Sequence, residues 1–239
     1  MAAETFRLEL PNGHWIVGDQ LAGEPPYYAF LHGLQSVRAG EKSAGLMAHA
    51  QARGRGFVRF DMRGHGESSG ELGKVSVSEL IADAIRVFER VGSVELVGSS
   101  LGGLISAHAT AQRPDLVRRL ALLAPALGLM SNIDHHLDDE GHMSTTEGST
   151  FYVEHDVRED ARKIDEAGLP KRIQTPTLTV HGTADDVIPP VVSEMFHAQL
   201  ASEHKQLWIV PDGDHRLNTV AAEIWRRLDA LPTGAGERS

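Results

Sequence analysis

The sequence predicts an α/β domain in which a mostly parallel sheet is covered by helices on both faces. Three observations carry that expectation. Short apolar runs alternate along the chain with amphipathic segments, the order that strand–helix–strand units produce. The runs are nearly continuous rather than alternating, as in strands whose two faces are both covered. The chain has 239 residues, 41% of them hydrophobic, which suffices for one sizeable core. Residues 1–231 are therefore expected to form a single domain.

The elements follow in order. Phe6–Leu10 and His14–Asp19 flank Pro11-Asn12-Gly13, a turn signal, and read as a hairpin. Tyr27–His32, Phe57–Asp61, Val94–Ser99, Arg119–Ala124, Thr177–His181 and Gln206–Val210 read as buried strands. In Ser76–Val91 the residues Leu80, Ile81, Ala84, Ile85 and Phe88 form one helical stripe, as do Val220, Ala221, Ile224, Leu228 and Leu231 in Leu217–Leu231. Leu101–Gln112 and Val191–Ala201 are also helix-like. From about 128 to 168 the chain is polar and highly charged, with no clear strand and helical character only around Val157–Ala167. That is too long for a plain connector and reads as a lid-like insertion over the sheet edge. The tail 232–239 is small and polar, and disorder is expected there.

Composition narrows the function. Lys and Arg number 23 against 33 Asp and Glu, a net charge of −10, which repels nucleic acid and anionic membrane surfaces. The absence of cysteine excludes disulfides, thiolate metal sites and a cysteine nucleophile. No apolar run approaches the ~20 residues of a membrane span. Met1 to Leu10 lacks a hydrophobic signal core, so a cytoplasmic location is the default expectation. Composition says nothing of oligomeric state.

Gly-x-Ser-x-Gly occurs twice, and context separates the two copies. Gly98-Ser99-Ser100-Leu101-Gly102 stands between a strand and a helix, where a sharp turn lifts a serine hydroxyl clear of the sheet. Gly66-Glu67-Ser68-Ser69-Gly70 lies inside a Gly/Ser-rich loop, so Ser68 reads as a loop residue and Ser100 as the candidate nucleophile. A serine needs a neighbouring base. His215, in Asp212-Gly213-Asp214-His215-Arg216, follows the last strand and suits that role. Asp185 and its neighbour Asp186 follow the strand before it, and either carboxylate suits the imidazole's orienting acid. His32-Gly33-Leu34 ends an earlier strand, and a glycine there lets backbone approach a ligand. The N–H groups of Leu34 and Leu101 are the candidate donors to a tetrahedral oxyanion, with Gly33, Gly98 and Gly102 as glycines lining the substrate site.

At this point the chain resembles the α/β-hydrolase superfamily over nearly its whole length. The resemblance rests on His32-Gly33, Phe60-Asp61-Met62-Arg63-Gly64-His65-Gly66-Glu67-Ser68, Gly98-Ser99-Ser100-Leu101-Gly102-Gly103, His181-Gly182-x-x-Asp185-x-x-Ile188-Pro189 and Gly213-Asp214-His215. It implies the α/β-hydrolase fold and selects Asp185 over Asp186 as the acid. Within the superfamily the chain is similar to the small acyl-protein thioesterase and acyl-glucuronide esterase group, known from mitochondria. It also looks like the cinnamoyl/feruloyl-type esterases through Phe60 to Gly70. The resemblance implies a serine hydrolase acting on a small-molecule ester or thioester of a small or medium acyl group, with no cofactor. Amide or carbon–carbon cleavage and perhydrolysis run on the same triad, and a non-catalytic ligand receptor is the remaining alternative.

Three further features read as structural. The insertion's His135, His136, Asp138, Asp139, Glu140 and His142 lack regular ligand spacing and read as a solvated loop, so no metal is expected. Asp61, Arg63 and His65 read as fold support, with Asp61 paired to an arginine. Arg38 and Lys42, after the oxyanion loop, read as a solvated face.

Overall fold

An eight-stranded sheet runs through the centre of the computed structural model, which describes residues 2–145 and 148–233. β1 (Glu4–Glu9) and β2 (Trp15–Leu21) form the expected hairpin about a 3₁₀ turn at Pro11–Gly13. The strands that follow are β3 (Glu24–Leu31), β4 (Arg55–Phe60), β5 (Val94–Ser99), β6 (Val117–Leu123), β9 (Thr177–Gly182) and β10 (Lys205–Val210). Their order across the sheet is β1-β2-β4-β3-β5-β6-β9-β10. Within this sheet only the pairings made by β2 are antiparallel; from β4 across to β10 every neighbour is parallel.

Side chains of successive strand residues face opposite layers. Leu96 and Leu120 pack on one side, against α2 (Val77–Val91), α3 (Leu101–Gln112) and α6 (Pro190–Gln199). Val97 and Ala121 pack on the other, against α1 (Glu41–Ala52) and α7 (Ala221–Ala230). β5 and β9 are buried at every position, which is why their sequences are continuously apolar or uncharged apart from Glu95 and His181. Ser76 starts α2 with a capping box: its hydroxyl accepts from the Glu79 N–H at 3.2 Å, and the Glu79 carboxylate accepts from the Ser76 N–H at 2.9 Å.

The structure corrects the sequence-based expectation in three places. α1 was not foreseen, because its buried stripe is Ser43, Leu46 and Ala50, too small and polar to stand out as amphipathic. The stretch 128–168 does contain strands: β7 (His142–Ser144) and β8 (Thr150–Tyr152) form a short hairpin. Its helix, α4, runs over His155–Lys163, earlier than the apolar pattern suggested, and α5 (Leu169–Arg172) leads into β9. The Leu217–Leu231 segment begins as a 3₁₀ turn at Asn218–Val220 before α7. Most of the expected disordered tail, 234–239, lies outside the described residues.

Hydrogen bonds close the stretch 128–168 on itself and tie it to the loops that follow β3 and β4. The Glu166 carboxylate accepts from the Gly128 N–H at 2.8 Å, the Ser131 N–H at 2.7 Å and the Ser131 hydroxyl at 2.9 Å. Arg162 holds both oxygens of Asp134, at 3.0 and 2.6 Å. Across the gap, Gln35 donates to the Ser149 hydroxyl at 3.1 Å, and the Glu154 N–H to the Gly73 carbonyl at 2.9 Å.

Candidate active site

Ser100 sits where β5 turns into α3, with φ 54° and ψ −119°. A non-glycine residue in this region is strained and persists only when its surroundings enforce it. Here they do: the Ser100 carbonyl accepts from the N–H groups of Gly103, Leu104 and Ala126, and its own N–H donates to Leu123 at 2.9 Å. The turn is possible because its neighbours lack side chains. A Cβ on Gly98 would lie 2.3 Å from the Gly102 carbonyl oxygen, and one on Gly102 would lie 2.4 Å from the His32 carbonyl oxygen. Both residues are buried and serve the packing of this turn. Gly33 is closer to the chemistry: its Cβ position is 3.2 Å from Ser100 Cβ and 3.8 Å from Ser100 Oγ.

His32 fixes the loop that carries Gly33 and Leu34. Its Nδ1 donates to the Gly33 carbonyl at 2.8 Å and its Nε2 accepts from the Met62 N–H at 3.0 Å. Burial lowers its pKa to about 4, so the ring stays neutral in that arrangement. Leu101 is the first residue of α3, and the first N–H groups of a helix have no partner within it. Leu101 follows Ser100 directly, and Leu34 follows Gly33, which approaches Ser100 from the end of another strand.

Asp185 and His215 meet across the loops that follow β9 and β10. His215 Nδ1 donates to Asp185 Oδ2 at 2.8 Å. The two loops are joined by further bonds: Thr183 N–H to Val210 and Ala184 N–H to Gly213, both at 2.9 Å, and Asp212 N–H to the Thr183 hydroxyl at 2.8 Å. The other oxygen of Asp185 accepts from the Val187 and Ile188 N–H groups at 2.9 Å each. Asp186 is exposed and takes no part.

A residue not singled out in the sequence joins this pair. His181, fully buried at the end of β9, donates from Nε2 to Asp185 Oδ2 at 3.0 Å and to the Ile188 carbonyl at 2.9 Å, while its Nδ1 meets the Ser193 hydroxyl at 2.7 Å. One carboxylate oxygen therefore serves two imidazoles. Burial by itself raises the pKa of Asp185, but the donors from His181, His215 and the two amides outweigh it and hold the acid well below the usual carboxylate range. The motif His-Gly-x-x-Asp held the signal, since it places His181 four residues before the acid. Among the described residues, no hydrogen bond joins the Ser100 hydroxyl to His215. Such contacts are often long before substrate is bound.

Arg38 is not a solvated side chain. Its guanidinium binds Asp19 at 3.3 Å and also Asp61 and Glu67, and its N–H donates to Asp61 at 2.7 Å. It is the arginine that Asp61 was expected to pair with. Lys42 is also engaged, donating to the Arg216 carbonyl at 2.5 Å beside His215. Ser68 is buried, donating to the Asp61 carbonyl at 2.6 Å and accepting from the Val17 N–H at 2.9 Å. In the insertion, Asp138 accepts from the N–H groups of Glu140 and His142, and among the described residues no set of three or more such side chains converges as metal ligands. Nor, among them, is any helix long and apolar enough to cross a membrane.

An apolar cavity adjoins the site. Leu34 and Leu101 line it from the sheet side, and Met130, Ile133, Met143 and Phe151 line it from the insertion.

Comparison with known proteins agrees with this architecture. The mouse mitochondrial palmitoyl-protein thioesterase ABHD10 is 29% identical over 229 residues, covering 90% of this chain and 76% of that protein. The solved structure of mouse alpha/beta hydrolase domain-containing protein 10 superposes with a TM-score of 0.81 at 24% identity, covering 95% of this chain and 99% of its own. Est1E from Butyrivibrio proteoclasticus, solved with ferulic acid bound, superposes with a TM-score of 0.77 at 19% identity, covering 92% and 97%. Residues 29–151, a little over half the chain, match the family model described as serine aminopeptidase, S33. The strand order, the turn at Ser100 and this match together identify the chain as a serine-hydrolase member of the α/β hydrolases, belonging to the serine aminopeptidase S33 family.

Proposed function

We propose that this protein hydrolyses a carboxylic ester or thioester of a small or medium acyl group through an acyl-serine intermediate. The observation that carries the reading is the Asp185–His215 hydrogen bond, formed at the same sheet end as the strained turn of Ser100. In the first step Ser100 Oγ attacks the acyl carbonyl while His215 Nε2 takes the hydroxyl proton. Asp185 orients the ring and stabilises the imidazolium. The N–H groups of Leu34 and Leu101 receive the negative charge that develops on the carbonyl oxygen. His215 then returns the proton to the departing alcohol or thiol. A water that gives its proton to His215 releases the acid and restores Ser100. None of these steps needs a cofactor.

The acyl group lies in the apolar cavity beside Leu34 and Leu101, and residues 128–168 act as a lid over it. The thioesterase name of the mouse relative and the ferulic acid bound to Est1E both support an acyl substrate. The serine aminopeptidase description of the family favours one second reading, amide hydrolysis by the same residues. A fluorophosphonate probe, with peptide mapping, tests the nucleophile: Ser100 should carry the label, and label on another serine refutes the assignment. Turnover of acyl esters and thioesters against matched amides then separates the two reactions.

A further inference from the structure

One buried imidazole stands behind the Asp185–His215 pair and has no part in the steps proposed above. His181 belongs to the end of β9, and its side chain is fully buried. Its Nε2 lies 2.9 Å from the Ile188 carbonyl oxygen and 3.0 Å from Asp185 Oδ2. A carbonyl and an ionised carboxylate only accept, so the ring proton is on Nε2. In the neutral ring Nδ1 then accepts from the hydroxyl of Ser193, a buried residue of α6, at 2.7 Å.

The remaining bonds to the Asp185 carboxylate differ in kind. The Val187 and Ile188 N–H groups on Oδ1 come from two and three residues further along the same turn. They shape the turn, as an aspartate commonly does, and move with it. At its near end the turn is tied to the loop after β10, through the Ala184 N–H and the Gly213 carbonyl at 2.9 Å. At its far end the Ile188 carbonyl is tied to the His181 ring. His181 thus holds both the carboxylate and the end of its turn from a fully buried strand, with α6 fixing the ring from behind.

We propose that His181 is a positioning residue: oriented by Ser193, it fixes the turn 185–188 so that Asp185 Oδ2 stays on His215 Nδ1. It touches no reacting atom and acts only through Asp185. The inference rests on the hydrolase reading above and names what keeps the acid of that site in place.

The test is a mutant cycle on the full chain, read by the kinetics of p-nitrophenyl butyrate and by the proton resonance of the His215 Nδ1–H. His181→Leu should lower kcat about tenfold with KM nearly unchanged, the cost of a loosened acid. The same change should move the low-field Nδ1–H resonance upfield or broaden it away. His181→Gln, whose amide can donate to Ile188 and accept from Ser193, should recover most of both. Ser193→Ala should give a smaller loss in the same direction. With Asp185→Asn already in place, His181→Leu should cost nothing further in kcat, whereas a residue that only supports the core costs the same in both backgrounds. Equal losses in the two backgrounds, a Gln variant as slow as the Leu variant, or an unmoved His215 resonance each overturns the inference and leaves the hydrolase function standing. If His181→Leu does not fold, Ser193→Ala takes its place, and an unmoved resonance there overturns the inference. If the wild type turns over no acyl ester, the hydrolase function falls, and the His215 resonance still decides whether His181 positions Asp185.

Discussion

Two serines sit in the same five-residue pattern, and their surroundings give them opposite duties. Ser100 is half-buried on a strained turn, with its hydroxyl left out of the hydrogen bonds that hold its backbone. Ser68 spends its hydroxyl on Asp61 and Val17. Ser100→Ala is therefore expected to lower kcat about a thousandfold or more with little change in Tm. Ser68→Ala is expected to do the reverse: near-normal activity, but about 1–3 kcal/mol less stability, because the Val17 N–H loses its partner. Kinetics and thermal melts on the pair check both, and a Ser68→Ala enzyme that melts normally but is inactive contradicts the assignment. At this scale the sequence was legible for placement: Ser100, Asp185 and His215 stand just past strand ends, as their motifs predicted. It was not legible for Arg38 and His181, whose partners are distant in sequence or depend on which way a ring faces.

Among the elements, β5 and β9 were readable because full burial leaves a short, mostly apolar run, interrupted at Glu95 and His181. α1 was not, because it packs through serine and alanine as much as leucine. The insertion was recognised by its length and polarity, but its hairpin, with strands of three residues each, is too short to leave a periodic signal. Glu166 joins the two ends of that stretch with three hydrogen bonds. Glu166→Ala should loosen the segment without unfolding the sheet. Limited proteolysis should then cut within 128–168 faster than in the wild type, and KM for acyl esters should rise severalfold with a smaller change in kcat. A variant as resistant to protease as the wild type speaks against a mobile insertion.

The whole molecule carries an acid-sensitive element in its interior. His32 and His108 are almost fully buried, and burial lowers each pKa from 6.5 to about 4. Between those values the unfolded chain takes up protons that the folded protein refuses, so stability is complete above pH 6.5 and drains away as pH falls towards 4. Each ring contributes a slope of up to about 1.4 kcal/mol per pH unit. Among the described residues His108 Nε2 has no hydrogen-bond partner. His108→Leu should accordingly flatten the fall in Tm across that range while leaving the neutral-pH fold intact. Melting curves from pH 7 to 4 give the comparison; an unchanged slope means His108 is not neutral in the fold. The global architecture was more legible than these details, since five motifs in the right order, each at a strand end, constrain the sheet more tightly than any single segment does.

The two walls of the apolar cavity have separate origins in the chain. One belongs to the loops and helices of the central sheet, where a change disturbs the fold as well. The other belongs to residues between 129 and 161, outside the main sheet. Descendants of this protein can thus exchange one cassette of sequence and inherit a different diet, while the machinery that breaks the bond passes on unaltered.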